Sequence, residues 1–314
     1  MNEVPIDPDV VELLSELAPP EQVAAADLTP EQHRQAGREA MAYFTEGVTP
    51  LSVHGVTDEV VPGRDGKIPV RVYNAETPAA LIVFMHGGAW MTGSLDMSDV
   101  AMRRLCHDTR SVVVSVDYRM IPENPFPAPI DDTYDAIVWA VERFPNLPVL
   151  VAGDSAGGTL ATCAALRSRD EGGPRIDGQV LIYPGIDDDY DAPSMVELSD
   201  DVPNSREDLR FFIDQYAGTE AAAGSPYALP ARAESLAGLP PAVIAIAGHD
   251  RLRSSEEAYA ERLQAAGVPV TVQLDLELVH AWFDFAPRVP AADRAFARLT
   301  TSIHELIHRG IASA

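Results

Sequence analysis

The chain has 314 residues and 46 % of them are apolar, which suits one large α/β domain with added segments and is too many for a disordered chain. Its 23 Lys and Arg stand against 48 Asp and Glu, a net charge of −25 that repels nucleic acid and anionic membrane and tolerates neutral or cationic substrates better than anionic ones. The only two cysteines, Cys106 and Cys163, make a disulfide framework unexpected and cannot complete a four-ligand zinc site alone.

The first segment reads as helix, turn, helix. Asp7 caps a segment with Pro8 at its first position, carrying Val10, Val11, Leu14 and Leu17 and ended by Pro19-Pro20. Thr29-Pro30-Glu31 opens a second helix in the same way. Residues 1–50 are therefore read as N-terminal cap helices and 51–314 as the catalytic domain, though position alone does not separate a cap over a site from ordinary amphipathic packing.

From residue 51 the pattern changes to strands. Leu51–Val61 and Lys67–Tyr73 flank the turn cluster Pro62-Gly63-Arg64-Asp65-Gly66, which predicts a hairpin. Short apolar runs follow at Leu81–Met85, Ser111–Val116, Leu147–Ala152, Gln179–Tyr183, Ala242–Ala247 and Val270–Leu276, as expected of strands buried on both faces. Helical spacing lies between them, with Tyr134, Ile137, Val138 and Val141 on one face. Ser254–Ala266 makes another helix, stopped by Gly267, and Phe296, Leu299, Ile303, Leu306 and Ile307 mark the last. The alternation predicts a mostly parallel sheet with helices on both sides. Residues 186–235 break it with an acidic stretch, Asp187-Asp188-Asp189, and a helix-like Ser205–Tyr216, and are read as a cap insertion above the sheet.

Residues 153–157, Gly-Asp-Ser-Ala-Gly, follow an apolar strand and open a helix, the context a nucleophile elbow requires. The turn is tight, so small residues must flank Ser155, and the helix N-terminus lays partial positive charge where an oxyanion would develop. His86-Gly87-Gly88-Ala89-Trp90 directly follows the strand Leu81–Met85. The N–H groups of Gly87, Gly88 and Ala89, joined by that of Ala156, are the candidate oxyanion-hole donors, while His86 is read as orienting the loop. In this arrangement the acid and then the base must come after Ser155. Asp250 follows the strand Ala242–Ala247 and His280 follows Val270–Leu276, both at strand carboxyl ends. Asp275, Glu277 and Asp284 compete for the acid role. His33, His54, His107, His304 and His308 fall in helical or peripheral segments, and His249 neighbours Asp250 but points the other way if the strand continues. Trp90, Met91, Ile186, Phe211, Phe212 and Trp282 are pocket candidates, with plain core packing as the competing reading, and Phe44 is a weaker one.

These residues resemble the hormone-sensitive-lipase-like esterases of the α/β-hydrolase superfamily. Members carry H-G-G-G before a G-D-S-A-G-G elbow, where this chain has H-G-G-A at 86–89 and G-D-S-A-G-G at 153–158. Between the two, Tyr118–Ala128 (Y-R-M-I-P-E-N-P-F-P-A) is similar to the family's Y-R-L-A-P-E-x-P-F-P-A. His280-Ala281-Trp282 resembles H-G-F, and Asp250-Arg251-Leu252-Arg253 resembles D-P-L-R without its proline, a loss that leaves the acid loop freer to move. The resemblance implies an eight-stranded, mostly parallel sheet with a helical cap. It also implies cofactor-free hydrolysis of short or medium acyl esters, and many members form homodimers along an edge strand or cap. An amidase or formamidase, or a receptor-like binding protein on the same fold, are the rival readings; the retained His280 argues against the receptor. No G-x-x-x-x-G-K-S/T or H-E-x-x-H sequence occurs, so phosphate-loop and metal-hydrolase chemistry are not expected. With no cationic-then-apolar opening and no membrane-length apolar run, a cytoplasmic protein is expected.

Overall fold

The computed structural model describes residues 4–17, 23–198 and 202–312, with side chains to 308. Eight strands make one sheet: β1 (Gly55–Gly63), β2 (Gly66–Asn74), β3 (Leu81–Met85), β4 (Val112–Val116), β5 (Val149–Asp154), β6 (Gly178–Ile182), β7 (Ala242–His249) and β8 (Val270–Val279), in the order β1-β2-β4-β3-β5-β6-β7-β8. The helices are α1 (Pro8–Leu17), α2 (Pro30–Phe44), α3 (Asp99–Thr109), α4 (Ala128–Arg143), α5 (Ala156–Glu171), α6 (Pro193–Glu197), α7 (Arg206–Ala217), α8 (Arg253–Ala265), α9 (Trp282–Phe285) and α10 (Pro290–Ala312).

The hairpin β1–β2 is antiparallel and β2 joins β4 antiparallel, while every other pairing is parallel. The strand expected from Leu51 begins at Gly55, because β2 ends at Asn74 and offers no partner beyond the Gly55↔Asn74 pair. Every residue of β3, β4, β5 and β6 is buried, which is why their sequences are unbroken apolar runs rather than alternating ones. Strand β5 runs two residues further than expected, since Gly153 and Asp154 still pair with Leu181 and Ile182. Two cores result: α4, α5 and α8 pack one face through residues such as Ile137, Leu160 and Tyr259, and α3 and α10 pack the other through Met102, Leu105 and Leu299.

Local rules set the helix starts. Asp7 Oδ1 accepts the Asp9 N–H at 2.9 Å, and Thr29 with Gln32 forms a reciprocal capping box ahead of Pro30. In α1 the buried side chains are Val10 and Leu13, while Val11 is exposed. The Pro19-Pro20 stop lies outside the described residues. The insertion after β6 carries α6 and α7 and reaches the N-terminal segment: the Ala25 N–H donates to Asp208 Oδ1 at 2.8 Å, and the His33 ring meets Phe212 edge-on at 5.2 Å.

Candidate active site

The elbow forms where β5 hands over to α5. Ser155 sits at φ 50 and ψ −121, a conformation that costs an L-residue about 1–3 kcal/mol and persists only when its surroundings hold it. They do so through the Ser155 N–H, which donates to Ile182 O at 2.8 Å, and through Ser155 O, which accepts from Thr159 N at 3.1 Å. A Cβ on Gly157 would stand 1.9 Å from Met85 O, so the helix can approach β3 this closely only with glycine there.

Above the elbow the His280 ring lies between two partners. Its Nε2 is 2.9 Å from Ser155 Oγ and its Nδ1 is 2.5 Å from Asp250 Oδ2. Asp250 is 3 % exposed, and its other oxygen accepts the Leu252 N–H at 2.9 Å. An imidazole so placed can take the serine proton on one nitrogen while the carboxylate fixes the proton on the other. The three competing acids are engaged elsewhere. Asp275 is held by Gln273 and Arg298, Glu277 faces Arg294 at 3.6 Å, and Asp284 lies with Asp154 behind the glycine loop. His249 is tied to the N-terminal segment, its Nε2 2.8 Å from Val4 O.

The acid loop is not loosened by the missing proline. Arg251, in the proline's place, is 4 % exposed, and its guanidinium donates to the carbonyls of Asn204, Met195 and Leu198. Ser194 closes the same corner, its Oγ donating to Arg251 O at 2.7 Å. Three backbone acceptors on the insertion thus replace the rigidity a pyrrolidine ring would supply.

The glycine loop is held from beneath by the segment at 118–128. Tyr118 donates its hydroxyl to His86 O at 2.7 Å and stacks on the His86 ring at 4.5 Å. The Ile121 N–H donates to Trp90 O at 2.9 Å, and Arg34 of α2 donates to Met91 O at 3.2 Å. The loop turns through positive φ at Gly88 (103), Ala89 (52) and Trp90 (56). His86 is buried, with its Nδ1 2.8 Å from Gly87 O, and burial holds its pKa below the ordinary histidine value. It orients the loop and stays neutral.

One expected oxyanion donor is spent. The Gly87 N–H donates to Asp154 Oδ1 at 2.8 Å and cannot also serve an oxyanion. No hydrogen bond takes up the amides of Gly88, Ala89 or Ala156 among the described residues, which leaves these three as the available donors. Among pocket candidates, Trp282 is fully buried, edge-on to Tyr183 and packed in the core of the α3/α10 face. Left-handed Ala281 (φ 67) turns the chain so that α9 points its aromatic residues under the sheet, and Trp282 is a core residue rather than a pocket wall. Ile186 is 1 % exposed within the opposite core, and Trp90 is 3 % exposed and stacked on Tyr216. Phe211 and Phe212 keep partial exposure against His33, while Met91 and Phe44 are buried. The sequence reading gave no role to Asp154 or Tyr216, weighed Asp284 only as a rival acid, and met Arg251 only as the residue where the proline is lost. Asp154 carried a signal, as the second residue of the elbow motif.

Comparison with known proteins agrees with this fold. The α/β-hydrolase fold family matches residues 82–284. The chain is 40 % identical to esterase LipI of Mycobacterium tuberculosis over 81 % of its length and 82 % of the relative's, and 30 % identical to an arylesterase of Saccharolobus solfataricus over 85 % and 88 %. Its structure resembles that of an esterase from the archaeon Pyrobaculum calidifontis with a TM-score of 0.88 and 32 % identity, covering 96 % of this chain and 99 % of that one. The chain belongs to the α/β-hydrolase fold family, within its hormone-sensitive-lipase-like branch.

Proposed function

We propose that this protein is a serine carboxylesterase acting on short- to medium-chain acyl esters, with Ser155 as nucleophile, His280 as base and Asp250 as its orienting acid. The observation that carries the reading is the continuous chain from Ser155 Oγ through both ring nitrogens of His280 to Asp250, at 2.9 and 2.5 Å. Ser155 Oγ attacks the ester carbonyl as His280 removes its proton. The N–H groups of Gly88, Ala89 and Ala156 receive the charge that forms on the carbonyl oxygen. His280 then protonates the departing alcohol, and water repeats the sequence on the acyl-enzyme to release the acid. No step uses a cofactor or a metal.

The N-terminal helices through about residue 50 and the insertion at 186–235 act together as the cap. The contacts of Ala25 with Asp208 and of His33 with Phe211 and Phe212 support this, and Phe212, only partly buried in α7, is the cap residue proposed for substrate contact. A homodimer along β8 fits that strand's place at the sheet edge, where Val272 and Leu274 are exposed. Among the described residues no helix is long and apolar enough to cross a membrane, and both cysteines are free, which fits a cytoplasmic location. The test is a series of aryl esters of rising acyl length beside the matching anilides. Rates that peak at short or medium chains, with anilides far slower, are expected; anilides turned over as fast as esters would replace the esterase with an amidase.

A further inference from the structure

Behind the glycine loop, with neither Ser155 nor His280 in its wall, lies a cavity of about 140 Å3 walled by Met41 and Phe44 of α2, Phe84 of β3 and Phe283 of α9. Two carboxyl groups line it, Asp154 from the end of β5 and Asp284 from α9. Asp154 is 4 % exposed and holds the Gly87 N–H. A Cβ on Gly87 would lie 2.2 Å from Asp154 Oδ2, so the carboxyl is seated against the loop backbone itself.

No lysine or arginine pairs with either carboxyl among the described residues. Arg104, which shares an adjoining cavity with Asp284, is taken up by Asp108 and Asp293. Around the pair stand His86 on the cavity wall, Tyr118 and Tyr183 near Asp154, and His280 near Asp284. His280 is already bonded to Ser155 and Asp250. Two carboxyl groups that line one cavity with no lysine or arginine partner disfavour ionising together.

We propose that Asp154 and Asp284 are positioning residues that share one proton, and that the singly charged pair holds the oxyanion loop in its working shape through Gly87. This builds on the ester-hydrolase reading. Burial first, and then the charge of Asp284, hold the Asp154 carboxyl well above the ordinary range; burial pushes Asp284 up to about 6, against the opposing pull of His280. As pH rises and the shared proton leaves, two negative charges meet behind Gly87, and the N–H groups of Gly88 and Ala89 lose their aim. The rate then falls on the alkaline side through kcat more than KM. An asparagine at either position supplies a neutral partner that needs no proton, so the alkaline fall should move upward.

The experiment joins the pH profile of kcat on an aryl ester, each variant read against its own plateau, with the infrared band of protonated carboxyl groups at neutral pH. Circular dichroism at each pH confirms that the protein remains folded. Asp284→Asn is expected to move the alkaline fall up by at least about one pH unit, equivalent to a tenfold change in proton affinity. Asp284→Asn and Asp154→Asn should each remove one carboxyl's share of the infrared band. The band is recorded in a Ser155→Ala background, so it reports on the pair without catalysis. An alkaline fall left in place by Asp284→Asn, or a band undiminished by that substitution, overturns the proposal. A diminished band in a protein that hydrolyses no ester would overturn the hydrolase reading and leave the shared proton standing. Should Asp154→Asn not fold, Asp284→Asn alone decides.

Discussion

Trp90 and Tyr216 stack with their ring centroids 4.3 Å apart and their planes 5° from parallel, joining the glycine loop to α7 of the insertion. Both rings are buried, and the Phe126 N–H, from the segment beneath the loop, donates to Tyr216 O. The loop is thus fixed from below by Tyr118 and Ile121 and from above by one aromatic face. Tyr216→Ala should cost about 3–5 kcal/mol in urea unfolding, the range for emptying a buried aromatic site, and should lower kcat by at least about ten-fold as Trp90 loses its support. The Tyr216 hydroxyl is buried with no partner among the described residues, so Tyr216→Phe should be neutral or stabilising by up to about 1 kcal/mol. A strongly destabilised Tyr216→Phe would show that the hydroxyl, not the ring face, carries the contact.

Ala89 and Ala281 occupy left-handed backbone positions, at φ 52 and 67, a region that glycine enters without steric cost. Left-handed geometry costs a residue with a Cβ about 1–2 kcal/mol, and glycine's extra unfolded-state freedom offsets about 0.5–1 kcal/mol of any relief. Ala89→Gly and Ala281→Gly should each hold stability level or raise it by up to about 1 kcal/mol. Gly157→Ala should abolish folding or activity, because its Cβ has no room beside Met85 O. Loss of more than about 1 kcal/mol in either alanine-to-glycine variant would contradict the strained-loop account.

Glu256, in α8 near Asp250, is fully buried and neither carboxyl oxygen has a hydrogen-bond partner among the described residues. Burial first, and then Asp250, raise its pKa well above the ordinary value. A carboxyl raised in this way adds no pH-dependent cost below its unfolded pKa, and that cost grows as pH climbs from there toward the folded value. Glu256→Leu should therefore stabilise the protein by about 1–3 kcal/mol near neutral pH, with the gain shrinking toward about pH 4. Denaturant unfolding at both pH values checks the sign; a gain larger in acid than at neutral pH would mean that Glu256 is ionised in the fold.

Arg251 holds the acid loop to the insertion through three carbonyls. Arg251→Ala removes the donor from these carbonyls, of which that of Met195 is buried, and should cost about 1–3 kcal/mol and lower kcat, since Asp250 precedes it directly. Unchanged kcat together with unchanged stability would remove the argument that Arg251 replaces the proline's rigidity.

Much of this was legible in the sequence because backbone chemistry writes it plainly. Strands buried on both faces read as Val- and Ile-rich runs, and β3 was found residue for residue at Leu81–Met85. Ser155, Asp250 and His280 follow from the chain order this fold imposes and from their places after strands. What the sequence does not write is direction. Gly87 and Gly88 look alike on paper, yet one N–H turns to Asp154 and the other has no acceptor among the described residues. Trp282 sits beside His280 in sequence, but left-handed Ala281 sends it into the core. The ties of Arg251 and of Tyr216 with Trp90, and the place of Asp284 and Asp154 on one cavity wall, bring together segments far apart in the chain, and no local periodicity predicts them.

The central claim is that Ser155 is a nucleophile activated by His280. The most direct measurement is the intact mass of the protein after reaction with a fluorophosphonate, followed by mapping of the labelled peptide, for the parent, Ser155→Ala and His280→Ala. The account predicts one adduct on Ser155 in the parent, none in Ser155→Ala, and labelling slowed by roughly a thousand-fold or more in His280→Ala, with ester turnover lost in step. A parent that hydrolyses aryl esters while Ser155 stays unlabelled, or a Ser155→Ala variant that keeps most of its turnover, would contradict it.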